Sequence, residues 1–168
     1  MNGDELRAMQ APLKAKYKED ATSAHFTLRS EGKIEADGLS CGVNTHIGPL
    51  KAGLHPATGG DGRLACSAEM LLEALVSCAG VTIAVVATAT GIPLKGGTVT
   101  AEGDLDFRGT LGINKEVPVG FKTIRLIFAL DTTATSEQLD TLIRLTERYC
   151  VVYQTLKTAP SIEVSRLS

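Results

Sequence analysis

The chain has 168 residues, of which 43% are hydrophobic and 21% charged, and its 17 basic and 19 acidic side chains leave a net charge of -2. This balance fits one folded globular domain over residues 1–168 and excludes collagen-like and disordered classes. There is no Lys/Arg block, only 4% of residues are aromatic and Trp is missing, so neither nucleic acid nor a membrane surface is an expected partner.

The N-terminal residues Asp4, Glu5 and Arg7 do not form the basic-then-apolar pattern of a targeting signal, so a cytoplasmic protein is expected. Leu6, Met9, Leu13 and Tyr17 recur at helical spacing between charges, which predicts a peripheral amphipathic helix within residues 1–20. From Ala24 to Val43, runs such as His25-Phe26-Thr27-Leu28 are broken by Gly32, Gly38 and Gly42, the pattern of two or three short strands. Residues 44–66 hold Gly48, Pro49, Gly53, Pro56, Gly59, Gly60 and Gly62 and predict a long Gly/Pro-rich loop.

Ser67 and Glu69 supply a cap and a first-turn carboxylate for a helix that runs to about Thr90 and ends at Gly91 and Pro93. Its surface is apolar nearly all round, with Leu71, Leu75, Val76, Val81, Ile83 and Val85, so an interior helix is expected. The charge-free stretch from Ala74 to about Thr90 is short for a bilayer span. Val99, Ala101, Leu105 and Phe107 alternate with polar residues over 98–108, and Ile124, Leu126, Phe128 and Leu130 do so over 121–130, predicting two half-exposed strands. A second helix should start near Thr135 or Ser136 and run toward Cys150 and Tyr153. Ile162 and Val164 suggest a closing strand. Strands and helices in this order, without a repeated βαβ unit, indicate an α+β fold with mostly antiparallel sheet.

The cysteines stand at 41, 66, 78 and 150. In a reducing compartment they are catalytic, metal-binding or core residues sooner than structural disulfides. Cys41, His46, His55 and Cys66 are donors that zinc would accept, but no close pair among them pre-forms a site, and a polar loop is the simpler reading. The stretch His55-Pro56-Ala57-Thr58-Gly59-Gly60 lacks the leading strand and the following Gly-Lys-Ser/Thr of a phosphate loop. A cysteine on an apolar helix is ordinarily core, and Cys78 has that reading beside any chemical one.

Two motifs bring the chemical reading forward. Cys78 ends Glu69-Met70-Leu71-Leu72-Glu73-Ala74-Leu75-Val76-Ser77-Cys78, and Cys150 ends Thr146-Glu147-Arg148-Tyr149-Cys150. This E-x-L-L-x-A-L-x-x-C helix followed by an E-R-Y-C turn resembles the family of osmotically induced protein C and the organic hydroperoxide resistance proteins (OsmC/Ohr), over roughly residues 24 to 166. The resemblance implies an intertwined homodimer whose mostly antiparallel sheets wrap a long central buried helix. It implies a stress-response thiol peroxidase without cofactor or metal, in which Cys78 attacks a small organic hydroperoxide and Cys150 resolves the sulfenic acid as a disulfide. An external dithiol, of lipoyl type in the family's enzymes, would reduce that disulfide.

The family pattern also needs a cation and a carboxylate near the thiol. By rough alignment the cation is Arg29, whose alternative is an exposed strand residue. The family's peroxidases place Glu ten residues before the first Cys, where this chain has Ala68; Glu69 stands nine before. On a continuous helix nine residues are about 900° and ~13.5 Å, so Glu69 reads as a helix-capping carboxylate. Val151 and Tyr153 stand where many members have Pro and then Ser, and without that Pro, Cys150 is expected to continue one helix. These departures keep a second function open: a non-catalytic protein of this fold holding a small hydrophobic ligand in the dimer cleft.

Overall fold

The computed structural model describes residues 1–36 and 38–166. Its elements are α1 (Gly3–Glu19), β1 (Gly32–Ile34), β2 (Ser40–Thr45), β3 (Gly48–Gly53), β4 (Ala65–Cys66), α2 (Ser67–Thr90), β5 (Gly96–Asp104), α3 (Phe107–Thr110), β6 (Thr123–Asp131), α4 (Ser136–Tyr149) and α5 (Val151–Lys157). The strands form a four-stranded sheet in the order β1-β2-β3-β4 and a two-stranded ribbon of β5 and β6. In the first sheet only the β3/β4 pair is parallel. The fold is therefore of the expected α+β class with mainly antiparallel pairing. By contact density the chain divides into two compact units, one of Met9–Glu73 and Thr100–Ile127, the other of Met1–Ala8, Ala74–Val99 and Phe128–Ser168.

The first of these units carries the four-stranded sheet and corrects the sequence reading at residues 44–66. That segment is not one long loop. Asn44 and Thr45 complete β2, and Gly48–Gly53 forms a hairpin with it in the register Thr45↔Gly48 to Ser40↔Gly53. The hydroxyl of Thr45 donates to the carbonyl of Gly48 and closes the turn. Pro49 is tolerated because β4 pairs only with Ala52 and Gly53, so the strand around Pro49 has a partner on one side alone. Gly60 is required by packing: a Cβ there would lie 1.8 Å from the carbonyl oxygen of Leu54. A second correction concerns the strand predicted over 98–108, which stops at Asp104. Asp106 then accepts the N–H of Arg108 and caps α3, so Leu105 and Phe107 lie beyond the ladder.

The second unit holds the principal core, in which Ile83, Val86 and Ala87 of α2 meet Leu142 of α4, flanked by Ile92, Phe128 and Leu130. Full burial of a side chain such as Leu142 contributes about 1.5–3 kcal/mol. α2 ends because Gly91 adopts φ +69°, and the N–H of Ile92 reaches back to the carbonyl of Ala87. This six-to-one closure also folds Ile92 onto the core. α4 begins with a reciprocal cap in which Thr135 accepts from the N–H of Gln138 while the Gln138 side chain accepts from that of Thr135. Along β6 the even-numbered residues from Ile124 to Leu130 are the more buried, as their alternation predicts.

Two expectations fail in this unit. Residues 161–166 form no strand, although Ile162 and Val164 alternate with polar neighbours; both are bare, at 84% and 93% exposure. Nor is α2 covered on most sides. Leu75, Ala79, Ile83, Val86 and Ala87 are buried, whereas Val81 is 66% and Val85 40% exposed. Within the single chain α4 and the β6 residues Phe128 and Leu130 cover one face of a helix whose sequence is apolar around its whole circumference. α2 is long and apolar enough to cross a membrane, but its packing against α4 gives it the character of a core helix covered on one face.

Candidate active site

Cys78 lies in the middle of α2 and Cys150 at the corner between α4 and α5, both in the unit containing the core. The corner overturns the expectation that Cys150 continues one helix. Its N–H still bonds the carbonyl of Thr146, but its ψ swings to 110°, and its sulfur accepts the N–H of Tyr153 at 3.5 Å. Cys150 thus ends α4 and caps α5, the role Ser or Asp commonly fills. The Gln154 amide donates to the carbonyl of Glu147 at 2.6 Å and satisfies one of the carbonyls left open where α4 ends. A thiol cap and a side-chain amide make the break that a proline makes elsewhere, and neither is a recognised helix-stop signal.

The packing of α2 on α4 then fixes the relation of the two sulfurs. Leu142 meets Ile83, Val86 and Ala87, while the thiol of Cys150, two turns further along α4, lies close enough to that of Cys78, earlier on α2, for each to shift the other's acidity. The helices therefore run in opposite directions with the cysteines at one level. Cys78 is half-buried and Cys150 fully buried, and both are free thiols.

Their acidities diverge. Burial pushes the Cys78 thiol up, but the N–H of Val152, the thiol of Cys150, the N–H of Val151 and the hydroxyl of Thr82 outweigh it and hold Cys78 below the ordinary cysteine value. Burial pushes Cys150 up; the N–H groups of Tyr153 and Val152 oppose this, the bond to Cys78 and its charge add to it, and Cys150 stays above the ordinary value. A partly accessible thiol made more acidic than usual therefore lies beside a buried thiol made less acidic than usual. All the groups that lower Cys78 are neutral donors.

The signs predict a pH experiment. A lowered folded-state value means the Cys78 thiolate adds stability above the unfolded-state value, and this is lost as pH falls through the folded one. Iodoacetamide labelling of the native chain, read peptide by peptide by mass spectrometry, should give a lower midpoint for Cys78 than for Cys150. In denaturant the two should coincide. A native Cys78 midpoint at or above that of Cys150 would contradict the geometry.

Thr82 and Val152 were not singled out from the sequence, and Val151 only as a departure from the family's Pro. Thr82 carried a signal, since it stands one turn after Cys78 on the same helix; the two backbone N–H groups carried none. Arg29 lies in the extended segment before β1, 82% exposed, and its guanidinium donates to Glu31 at 2.6 Å. Glu69 occupies the first turn of α2, exposed, as the capping reading expects. Both belong to the unit that carries the four-stranded sheet. Cys41 faces Ala52 and Cys66 faces Gly53 on β3, so these two cysteines project from opposite faces of the sheet. His46 sits in the β2–β3 turn, and His55 stacks on Phe107 at 5.0 Å. No group of three or more His, Cys, Asp or Glu able to hold a metal ion occurs among the described residues. Beside the Cys150 corner, Arg148, Tyr149, Val151 and Gln154 border an open hollow of about 420 Å³. The guanidinium of Arg148 lies over the Tyr149 ring at 5.6 Å, while Tyr153 is covered by Lys157.

Comparisons with known proteins agree with this architecture. The family model described as OsmC-like protein matches residues 60–165. The structure of an OsmC like protein from Mycoplasma pneumoniae superposes with a TM-score of 0.66 at 16% identity, covering 80% of this chain and 89% of that one. An organic hydroperoxide resistance protein OsmC from Legionella pneumophila gives 0.59 at 17% identity, covering 80% and 93%. A putative organic hydroperoxide resistance protein from Vibrio cholerae, solved with captopril bound in one active site, gives 0.58 at 20% identity, covering 81% and 89%. No curated protein matches the chain. With the family model spanning both cysteine motifs and the same fold recurring in these structures, the chain belongs to the OsmC-like family.

Proposed function

We propose that this protein reduces organic hydroperoxides, with Cys78 as the attacking thiol and Cys150 as the resolving one. The observation that supports it most is the pairing itself: a half-buried thiol held low in contact with a buried thiol held high. The Cys78 thiolate attacks the distal oxygen, the O–O bond breaks, and the substrate leaves as alcohol after taking a proton. The sulfenic acid on Cys78 condenses with the Cys150 thiol, releasing water and forming the disulfide. An external dithiol, of lipoyl type or similar, then takes the disulfide back to two thiols. The names of the Legionella and Vibrio structures point to the same substrate class. Arg29 and Glu69 enter this reading as its cation and carboxylate, both exposed and open to a second copy of the chain.

The working form on this reading is a homodimer. Val81 and Val85 leave an apolar stripe on α2 uncovered, and Phe26, Leu28, Ile162 and Val164 are bare in segments whose alternation suits strands. A second copy would cover the stripe and supply the missing strand edges. One equivalent of cumene hydroperoxide should yield a Cys78 to Cys150 disulfide in the digested protein. A disulfide through Cys41 or Cys66, or none, would remove the resolving role. The same bare apolar surface also suits a non-catalytic protein holding a small hydrophobic ligand in the dimer cleft. In that case the native protein yields an extractable apolar molecule and its thiols stay inert to hydroperoxide.

A further inference from the structure

The dithiol centre leaves one buried polar group over. Thr146 is 1% exposed, and its hydroxyl has no hydrogen-bond partner among the described residues. It lies on the stripe Leu142, Thr146, Cys150, all fully buried, one helical turn and about 6 Å of rise before the resolving thiol. On α2, Thr82 stands one turn after Cys78, and because the two helices run in opposite directions, both threonines fall in the layer next to the sulfurs. Thr82 is satisfied: its hydroxyl donates to the carbonyl of Cys78 at 2.7 Å. A helical threonine commonly bonds the carbonyl four residues back, as Thr82, Thr88 and Thr155 do here. Thr146 does not. An unpartnered buried hydroxyl costs stability that a valine of the same shape would not, and such a group beside a reactive centre calls for a ligand that arrives later.

We propose that Thr146 is a hydrogen-bond donor to the oxygen that Cys78 takes from a hydroperoxide, an inference that rests on the peroxidase reading above. In the dithiol state neither sulfur carries oxygen and the hydroxyl has nothing to bind. When the O–O bond breaks and the S–O bond forms, the oxygen enters the space between the helices, and Thr146 holds it turned away from Cys150. That leaves the sulfur open to the resolving thiol. As the S–S bond forms and the S–O bond breaks, the oxygen departs as water with the proton of Cys150, and Thr146 is unpartnered again.

The test compares wild type, Thr146→Val and Thr146→Ser after mixing with one equivalent of cumene hydroperoxide. Disulfide formation is followed by quenched labelling, and sulfenic acid on Cys78 by dimedone trapping. Thr146→Val should slow disulfide formation about tenfold or more and raise the trapped sulfenic acid. It should leave the pH profile of Cys78 alkylation unchanged, because Thr82 and the backbone donors set it. Its thermal midpoint should be at or above that of wild type, which shows the fold intact, and Thr146→Ser should restore the rate. Wild-type disulfide rates in Thr146→Val, or equally slow rates in Thr146→Ser, would overturn the assignment while leaving the peroxidase reading standing. If wild type forms neither sulfenic acid nor disulfide, that reading fails and the role of Thr146 with it.

Discussion

Cys78→Ser should lower hydroperoxide consumption, measured with excess dithiol, by about a hundredfold or more. Serine keeps the size of the side chain, so the packing of α2 on α4 is retained. Its hydroxyl, however, is far less acidic than a thiol, and the donors that hold Cys78 low, namely Val151, Val152, the Cys150 thiol and Thr82, cannot bring an alkoxide within reach of neutral pH. Cys150→Ser should behave differently: the first oxidation of Cys78 proceeds, no disulfide forms, and the chain stops as a sulfenic acid that dimedone captures. Consumption by Cys78→Ser at the wild-type rate would end the reading at this residue, whatever Cys150 does.

Val81→Glu should dissociate the proposed homodimer. The side chain of Val81 is 66% exposed in the single chain, so a carboxylate there costs the lone protomer little, within the usual ±0.5 kcal/mol or so of a surface change. At an interface across α2 the same carboxylate would be stripped of water without a partner, at about 3–5 kcal/mol. A two-fold interface counts the change twice. Since each 1.4 kcal/mol or so is a factor of ten, association should weaken by at least about ten-thousandfold. Sedimentation should then show a species near the 17.7 kDa of one chain instead of twice that mass. A dimer that survives Val81→Glu unchanged would place its interface elsewhere.

Much of the fold was legible where a single element carries its own pattern. The alternation of Ile124 to Leu130 placed β6, Thr135 or Ser136 marked the start of α4, and Gly91 with Pro93 marked the end of α2. Reading failed where local rules compete. Glycine and proline density pointed to a loop at 44–66, yet Gly48–Gly53 pairs with β2 because a one-sided strand can spare the N–H of Pro49. Alternation at Ile162 and Val164 pointed to a strand, yet a strand needs an edge to bond, and these residues pair with none among the described residues.

By itself the sequence determined most of the element types, the thiols at 78 and 150 and the motifs around them, because periodicity, capping and residue identity are written along the backbone. Only the tertiary structure decided that the two thiols lie together, that Cys150 breaks its helix, that the backbone of Val151 and Val152 helps to lower Cys78 and that Thr146 has no partner among the described residues. These are relations through space, set by the opposed packing of two helices far apart in the chain. The acidity of a thiol depends on which donors that packing delivers to it.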